Sequence, residues 1–211
     1  MEKTLKDSKI IAIVRGVSPD KILDTARALY AGGIRFIEMT FPQGDDAGMC
    51  DVRRSIRSVA VNLGDKMFVG AGTVLTTDQV RAAHDTGARY IISPVVDEGV
   101  IDETLKLGML SIPGAMTPTE IYAAYRAGAN FVKVFPASEL GPNYFKAVRA
   151  PLSKIPLIAV GGIDENNAAE FINAGVCALG VGGKLINKQA VDKEDYETIT
   201  KAAFKIIEAV K

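Results

Sequence analysis

The sequence predicts a (β/α)8 barrel, and three observations favour this fold class. Eight short β-prone runs alternate with helical patterns along a chain of 211 residues. No break in composition divides the chain, so one domain spanning residues 1–211 is expected. The Gly-x-Gly-x-x-Gly signature of a doubly wound dinucleotide-binding sheet does not follow the first strand, which ends in IVRGVSP. A barrel with short loops is therefore the prediction, and a doubly wound open sheet is the alternative.

Each predicted strand lies between the end of one helix and the start of the next. Helices end at Ala-Gly, Thr-Gly or Leu-Gly pairs, because the turn into a strand requires a left-handed residue. These glycines are Gly32 or Gly33, Gly87, Gly108, Gly128 and Gly175. Capping residues, some with proline in the first turn, begin the helices near Ser18, Thr76, Thr117 and Asp164. The predicted strands are 10–15, 34–41, 67–71, 89–93, 109–112, 130–135, 156–160 and 177–181, and a last helix covers 196–210.

Composition and charge exclude several classes of protein. Apolar residues make up 48% and charged residues 24%, which is typical of a soluble globular protein. The 25 basic residues balance the 25 acidic ones, so neither nucleic acid nor an anionic membrane surface is an expected partner. No apolar run approaches the ~20 residues of a membrane span. The charged start, MEKTLKDSK, predicts no signal peptide, and we expect a cytoplasmic protein.

Cysteine and histidine give no indication of a metal site. Cys50 and Cys177 are far apart, and Cys177 lies in an apolar run that predicts a core position. His84, the only histidine, falls in a predicted helix and is expected on the surface. Since no cluster has the spacing of metal ligands, we expect chemistry without a metal or another cofactor.

A lysine in the middle of an apolar strand is the strongest chemical signal. In FVKVF, Phe131, Lys133 and Phe135 share one face, and Glu38 occupies a similar position in the second strand. If both faces point into a barrel, desolvation lowers the pKa of the amine and raises that of the carboxyl group. A partly neutral lysine is a nucleophile toward a ketone, and the carboxylate can transfer protons. A buried Lys–Glu ion pair is the alternative.

Two further residues are candidates for binding a carboxylate. Thr73 in GAGTVL places a hydroxyl beside glycines that allow close approach of a ligand, although a tight turn and a helix cap explain it equally well. Arg15 ends the first strand and can reach the barrel mouth, with a surface ion pair as the alternative.

Paired glycines after the last two strands predict a phosphate site. Gly161 and Gly162 end the seventh strand, and Gly182, Gly183 and Lys184 follow the eighth. We expect each pair to lead into a helix N-terminus, whose N–H groups and positive dipole end attract an anion. Glycines that serve only a sharp turn are the alternative.

The chain resembles the 2-keto-3-deoxy-6-phosphogluconate aldolase family, whose members often also split 4-hydroxy-2-oxoglutarate. The resemblance rests on seven motifs in register: AGGIRFIEMT, GAGTVL, ISP, IPG, FVKVFPA, GGI and GVGG. It implies a class I aldolase on a (β/α)8 barrel, usually a homotrimer, with a phosphorylated 2-keto acid and pyruvate as small-molecule ligands. It also implies roles for individual residues: Lys133 as the Schiff-base lysine, Glu38 as the acid/base, Thr73 at the pyruvyl carboxylate, Gly161, Gly162, Gly182 and Gly183 at the phosphate, and Pro94 and Phe135 lining the pocket.

Two departures from the family pattern affect the expected substrate. Many members carry an arginine where this chain has Pro42 in EMTFPQ. Either carboxylate recognition depends on Thr73 and Arg15, or the substrate preference differs from that of those members. Many members also have serine where this chain has Lys184, an exchange that keeps an anion site. In addition, IAIVRG and GPNYFKAV resemble the related 2-keto-3-deoxy-6-phosphogalactonate aldolases.

The expected reaction is cleavage of 2-keto-3-deoxy-6-phosphogluconate to pyruvate and glyceraldehyde 3-phosphate. Cleavage of 4-hydroxy-2-oxoglutarate to pyruvate and glyoxylate is expected as well, and the galactonate-derived epimer is the alternative substrate. Two other hypotheses remain at this point. One is a phosphate-binding barrel isomerase that uses Lys133 and Glu38 only for proton transfer, and the other is an inactive barrel that senses a phosphorylated ligand.

Overall fold

All strands of the computed structural model, which describes residues 1–44 and 46–211, belong to one parallel sheet. The strands are β1 (Ile10–Val14), β2 (Phe36–Thr40), β3 (Phe68–Gly72), β4 (Tyr90–Ile92), β5 (Leu110–Ile112), β6 (Gly114–Ala115), β7 (Val132–Val134), β8 (Leu157–Val160) and β9 (Ala178–Val181). The helices are α1 (Glu2–Ser8), α2 (Pro19–Ala31), α3 (Asp46–Leu63), α4 (Thr77–Asp85), α5 (Glu98–Lys106), α6 (Pro118–Arg126), α7 (Ala137–Arg149), α8 (Ala168–Asn173), α9 (Lys188–Asp192) and α10 (Tyr196–Ala209).

The sheet forms a nearly closed barrel whose fifth position is one interrupted strand. The strand order is β5-β4-β3-β2-β1-β9-β8-β7-β6, and β5 and β6 are separated only by Pro113. β5 pairs with β4 while β6 pairs with β7, so the chain changes neighbours at a residue that lacks an N–H donor. The (β/α)8 prediction is confirmed and the open-sheet alternative is wrong. The sequence predicted this strand as 109–112 and did not include its short continuation, β6.

Most local signals at helix ends produce the expected turns, but α8 begins at Ala168 instead of near Asp164, and Ser18 precedes α2 without a side-chain capping hydrogen bond. Gly33, Gly87, Gly108, Gly128 and Gly175 all have positive φ, which L side chains rarely adopt. The Thr76 and Thr117 side chains accept hydrogen bonds from the first turns of α4 and α6. The predicted alternation of strands and helices is therefore confirmed at these boundaries.

A second, smaller apolar core fills the barrel interior and closes its N-terminal end. Leu5 of α1, which sequence reasoning did not assign to a helix, is buried in this cluster. The other buried members are Ile11, Phe36, Tyr90, Ile92, Ile112, Phe131, Ile158, Val160 and Ala178. Since α1 covers one end, the opposite end, where the strands finish, is the place for a ligand.

The remaining residues considered from the sequence lie away from this opening. Cys177 is half-buried against the interior cluster, Cys50 is exposed, and His84 lies in α4 with 43% of its side chain exposed. The described residues contain no group of three or more His, Cys, Asp or Glu placed to hold a metal ion. Within 1–44 and 46–211, no helix has the length and apolar character needed to cross a membrane.

Candidate active site

A cavity of about 540 Å³ opens at the C-terminal ends of the strands. Every site residue predicted from the sequence lines it: Arg15, Glu38, Thr73, Pro94, Lys133, Phe135, Gly161, Gly162, Gly182, Gly183 and Lys184. Apolar side chains, among them Ile13 and Val160, complete the wall. A neighbouring cavity of about 620 Å³ shares only Arg15 and Thr73 with it and lacks the amine and the buried carboxylate. The first cavity is therefore the candidate active site.

Lys133 is fixed at the centre of β7 and is only 8% exposed. Its backbone N–H donates to the Pro113 carbonyl at 2.9 Å, and its Nζ lies 5.0 Å from the centroid of the Phe135 ring. Burial lowers the pKa of the amine; the negative charge of Glu38 opposes this, and the positive charge of Arg15 adds to it. The amine is therefore easier to deprotonate than that of an exposed lysine.

Glu38 lies at the centre of β2 and is 3% exposed. Burial raises the pKa of its carboxyl group to about 7, although the nearby positive charges of Lys133 and Arg15, and after them the neighbouring Thr40 hydroxyl, lower it. Its Oε2 has no hydrogen-bond partner among the described residues. Among the described residues, Glu38 and Lys133 form no salt bridge within 4.0 Å. Their charges therefore interact without a direct ion pair. A carboxyl group with this pKa can accept and return a proton near neutral pH.

Thr73 adopts an unusual backbone conformation where the loop after β3 meets the cavity. Its φ is 57°, the left-handed region that non-glycine residues seldom occupy. Its carbonyl accepts a hydrogen bond from the Gln43 side-chain amide at 2.9 Å, and that amide also reaches the Phe41 carbonyl at 3.4 Å. Sequence reasoning missed Gln43, although it follows Pro42 in the EMTFPQ departure. Positive φ at a non-glycine residue is a signal of local strain that often marks functional sites.

The glycine pairs reach the cavity, but the prediction that each pair leads directly into a helix is wrong. Gly161 and Gly162 have φ values of 100° and 70°, which an α-helix cannot continue, and α8 begins only at Ala168. After β9, the Gly182 carbonyl accepts from Leu185 and Ile186 in a single turn that precedes α9.

Free backbone donors remain at these loops. Among the described residues, the N–H groups of Gly162, Gly183 and Lys184 donate to no carbonyl. A side chain at Gly162 would lie 2.1 Å from the Ser138 Oγ, so only glycine fits there. Unpaired N–H groups beside an exposed lysine can bind an anion without a helix dipole.

Known proteins match both the sequence and the fold. The family model described as KDPG and KHG aldolase matches residues 1–202. The chain is 38% identical over 179 residues to a 2-dehydro-3-deoxy-6-phosphogalactonate aldolase of Escherichia coli, covering 83% of each chain. It is 32% identical to a 2-dehydro-3-deoxy-phosphogluconate aldolase of Treponema pallidum, covering 94% of this chain and 91% of that one.

A solved structure described as native KDPGal superposes with a TM-score of 0.85 at 36% identity, covering 95% of this chain and 93% of the other. The match therefore extends over nearly the whole chain. Sequence and structure agree on the assignment: the chain belongs to the KDPG and KHG aldolase family.

Proposed function

We propose that the protein is a class I aldolase that cleaves a 2-dehydro-3-deoxy-6-phospho sugar acid to pyruvate and glyceraldehyde 3-phosphate. One observation carries this proposal: a buried amine of lowered pKa shares a cavity with a buried carboxyl group of pKa about 7. The first is suited to attack a ketone, and the second is suited to move protons at neutral pH. An isomerase could use the same two groups for proton transfer alone, and the match to the KDPG and KHG aldolase family favours the aldolase.

Lys133 begins the reaction as a nucleophile. Its neutral amine adds to the C2 ketone, and loss of water gives an iminium ion. Glu38 then removes the proton of the C4 hydroxyl, the C3–C4 bond breaks, and its electron pair moves onto the iminium to form an enamine. Glyceraldehyde 3-phosphate leaves, the enamine is protonated at C3, and hydrolysis releases pyruvate and the free amine.

The other residues of the cavity orient the substrate. We assign the carboxylate to Thr73 and Arg15, the two residues that this cavity shares with its neighbour. We assign the phosphate to the glycine loops and Lys184. Because the phosphate is remote from the bond that breaks, its binding energy serves to position the substrate. Pro94 and Phe135 form part of the wall.

The galactonate-derived epimer is the substrate that the relatives favour. The E. coli relative named for it is 38% identical to this chain, whereas the T. pallidum relative named for the gluconate epimer is 32% identical. The motifs IAIVRG and GPNYFKAV favour the same choice. The gluconate epimer, expected first from the sequence, becomes the second candidate, and 4-hydroxy-2-oxoglutarate is proposed as a minor substrate. A cytoplasmic homotrimer is part of the proposal on the strength of the family resemblance.

Release of pyruvate tests the proposal. Both epimers and 4-hydroxy-2-oxoglutarate are incubated separately with the protein, and pyruvate is measured with lactate dehydrogenase. We expect the highest kcat/KM for the galactonate-derived epimer and a rate that rises as the pH passes about 7, because Glu38 must be ionised. No pyruvate from any of the three substrates would show that the protein is not this aldolase.

A further inference from the structure

Three buried polar atoms on strands β2 and β4 have no hydrogen-bond partner among the described residues. They are Glu38 Oε2 and the hydroxyl groups of Thr40 and Tyr90. Tyr90 is only 1% exposed, and the other two residues are at most 8% exposed. Since buried polar groups almost always have a protein or water partner, three such atoms in one region require an explanation.

Glycines in β3 bring the Tyr90 phenol and the Glu38 carboxylate toward each other. Tyr90 pairs with Gly70 in the sheet register, and Gly70 pairs with Glu38, so the three lie in one row. A Cβ on Gly70 would lie 2.4 Å from Tyr90 Cζ, the carbon that bears the hydroxyl. A Cβ on Gly72 would lie 2.7 Å from Glu38 Oε2. Both groups therefore extend over a strip of backbone without side chains.

The spacing between the two groups suits one water molecule. Residues two apart on one face of a strand are separated by about 7 Å. The Tyr90 ring covers the Gly70 position and the Glu38 carboxylate covers the Gly72 position. Two O–H···O hydrogen bonds of about 2.8 Å each span most of that distance. Burial raises the pKa of Tyr90, and the charge of Glu38 raises it further, which is consistent with this proximity.

We propose that Tyr90 is a positioning residue that holds the Glu38 carboxylate through one buried water molecule lying over Gly70 and Gly72. The water accepts the Tyr90 hydroxyl proton and donates to Glu38 Oε2. Its second hydrogen points to the Thr40 hydroxyl, two residues further along the same face of β2. Three polar partners are enough to retain a buried water. The inference deepens the proposed function, because it rests on Glu38 as the base.

This water stabilises the charged form of Glu38. The charged or titratable groups that face the carboxyl group are Lys133, Arg15 and Tyr90. The first two favour ionisation directly, and Tyr90 favours it by fixing the orientation of the water that donates to Oε2. Without the Tyr90 hydroxyl, the carboxyl group should hold its proton to a higher pH.

A crystal structure at high resolution and the substitution Tyr90→Phe test the proposal. We expect electron density for a water within about 3.2 Å of both the Tyr90 hydroxyl and Glu38 Oε2. In Tyr90→Phe, the acid limb of the kcat/KM profile should move upward by about one pH unit. Tyr122→Phe makes the same change on the exposed face of α6 and should leave the limb in place. Absence of the water, or an unmoved acid limb in Tyr90→Phe, overturns the proposal.

Two readouts separate this inference from the proposed function. The bridging water is visible in crystals whatever the protein catalyses. The pH dependence of the free energy of unfolding also reports the protonation of Glu38 in the absence of substrate. In Tyr90→Phe, the midpoint of this pH dependence should move to higher pH. If the wild-type protein releases no pyruvate while these two results hold, the proposed function fails and the role of Tyr90 toward Glu38 stands. If pyruvate is released but the water is absent, only the inference about Tyr90 fails.

Discussion

The Glu38 carboxylate lies directly against the backbone of Gly72. A Cβ placed on Gly72 would be 2.2 Å from Glu38 Oε1 and 2.5 Å from its Cδ, closer than nonbonded atoms can approach. Gly72 belongs to β3 and pairs with Thr40 of β2, so the carboxylate leans across from its own strand to the next. Gly72, the second glycine of GAGTVL, therefore makes room for the proposed base rather than for the ligand alone.

Gly72→Ala should displace this carboxylate and destabilise the protein. A forced contact in a packed interior typically costs about 1–3 kcal/mol, so we expect the free energy of unfolding in urea to fall by that amount. Pyruvate release should fall as well, because the base moves. Adding Glu38→Asp shortens the side chain and should restore much of the stability without restoring activity. Additive losses of stability in the double variant would contradict the contact.

The stability of the protein should depend on pH through Glu38. Its pKa is raised from 4.5 to about 7, so between these values the folded protein keeps a proton that the unfolded chain has lost. The free energy of unfolding therefore falls as the pH rises from 4.5 to 7, by about 3 kcal/mol from this group.

Glu38→Gln removes the titrating carboxyl group. The free energy of unfolding of the variant should therefore increase relative to that of the wild-type protein, by about 3 kcal/mol between pH 4.5 and 7. Urea denaturation at several pH values measures it. Glu170→Gln, on an exposed position of α8, is the matched control and should follow the wild-type protein. A difference between Glu38→Gln and wild type that does not change with pH would show that the carboxyl group is not perturbed.

Lys184→Ala should weaken binding of the phosphate group. A charge-assisted hydrogen bond contributes about 1.5–3 kcal/mol, so the KM for the phosphorylated substrates should rise at least tenfold. The KM for 4-hydroxy-2-oxoglutarate, which lacks the phosphate, should change little. Lys188→Ala, at an exposed position in α9, is the control. Equal effects on both kinds of substrate would place Lys184 outside the phosphate site.

Gln43→Ala should release the Thr73 loop from its left-handed conformation. The lost hydrogen bond to the Thr73 carbonyl contributes about 1 kcal/mol, so the KM for the keto acid should rise severalfold with little change in kcat. Gln189→Ala, which makes the same substitution on α9 away from the cavity, is the control and should leave the KM unchanged. A lower kcat at constant KM would mean that Gln43 acts on the reaction step instead of on binding.

The parts of the structure that depend on local chemistry could be predicted from the sequence. Helix caps such as Thr117 and left-handed glycines such as Gly87 act over a few residues, so their pattern located the strands. Lys133 and Glu38 could be placed in one cavity because inward positions alternate along a strand. These inferences required no knowledge of distant contacts.

Features that depend on contacts between distant segments could not be predicted. The change of neighbours at Pro113 and the position of α1 under the barrel follow from how the sheet closes. The glycine pairs were expected to lead into helices, but Gly161 and Gly162 have positive φ values, and a Cβ at either position would meet Phe135 or Ser138 of a distant segment. The approach of Tyr90 to Glu38 depends on two glycines of an intervening strand, and no single segment shows it.

Trapping with pyruvate and borohydride tests whether Lys133 forms a Schiff base with the substrate. If Lys133 forms the iminium ion, reduction will attach one pyruvyl group irreversibly, and digestion followed by mass spectrometry will locate it on Lys133. Lys133→Met should then show neither adduct nor pyruvate release, while Lys184→Ala should still be labelled. We expect an adduct on Lys133 alone. An adduct on a different lysine, no adduct at all, or full activity in Lys133→Met would contradict this mechanism.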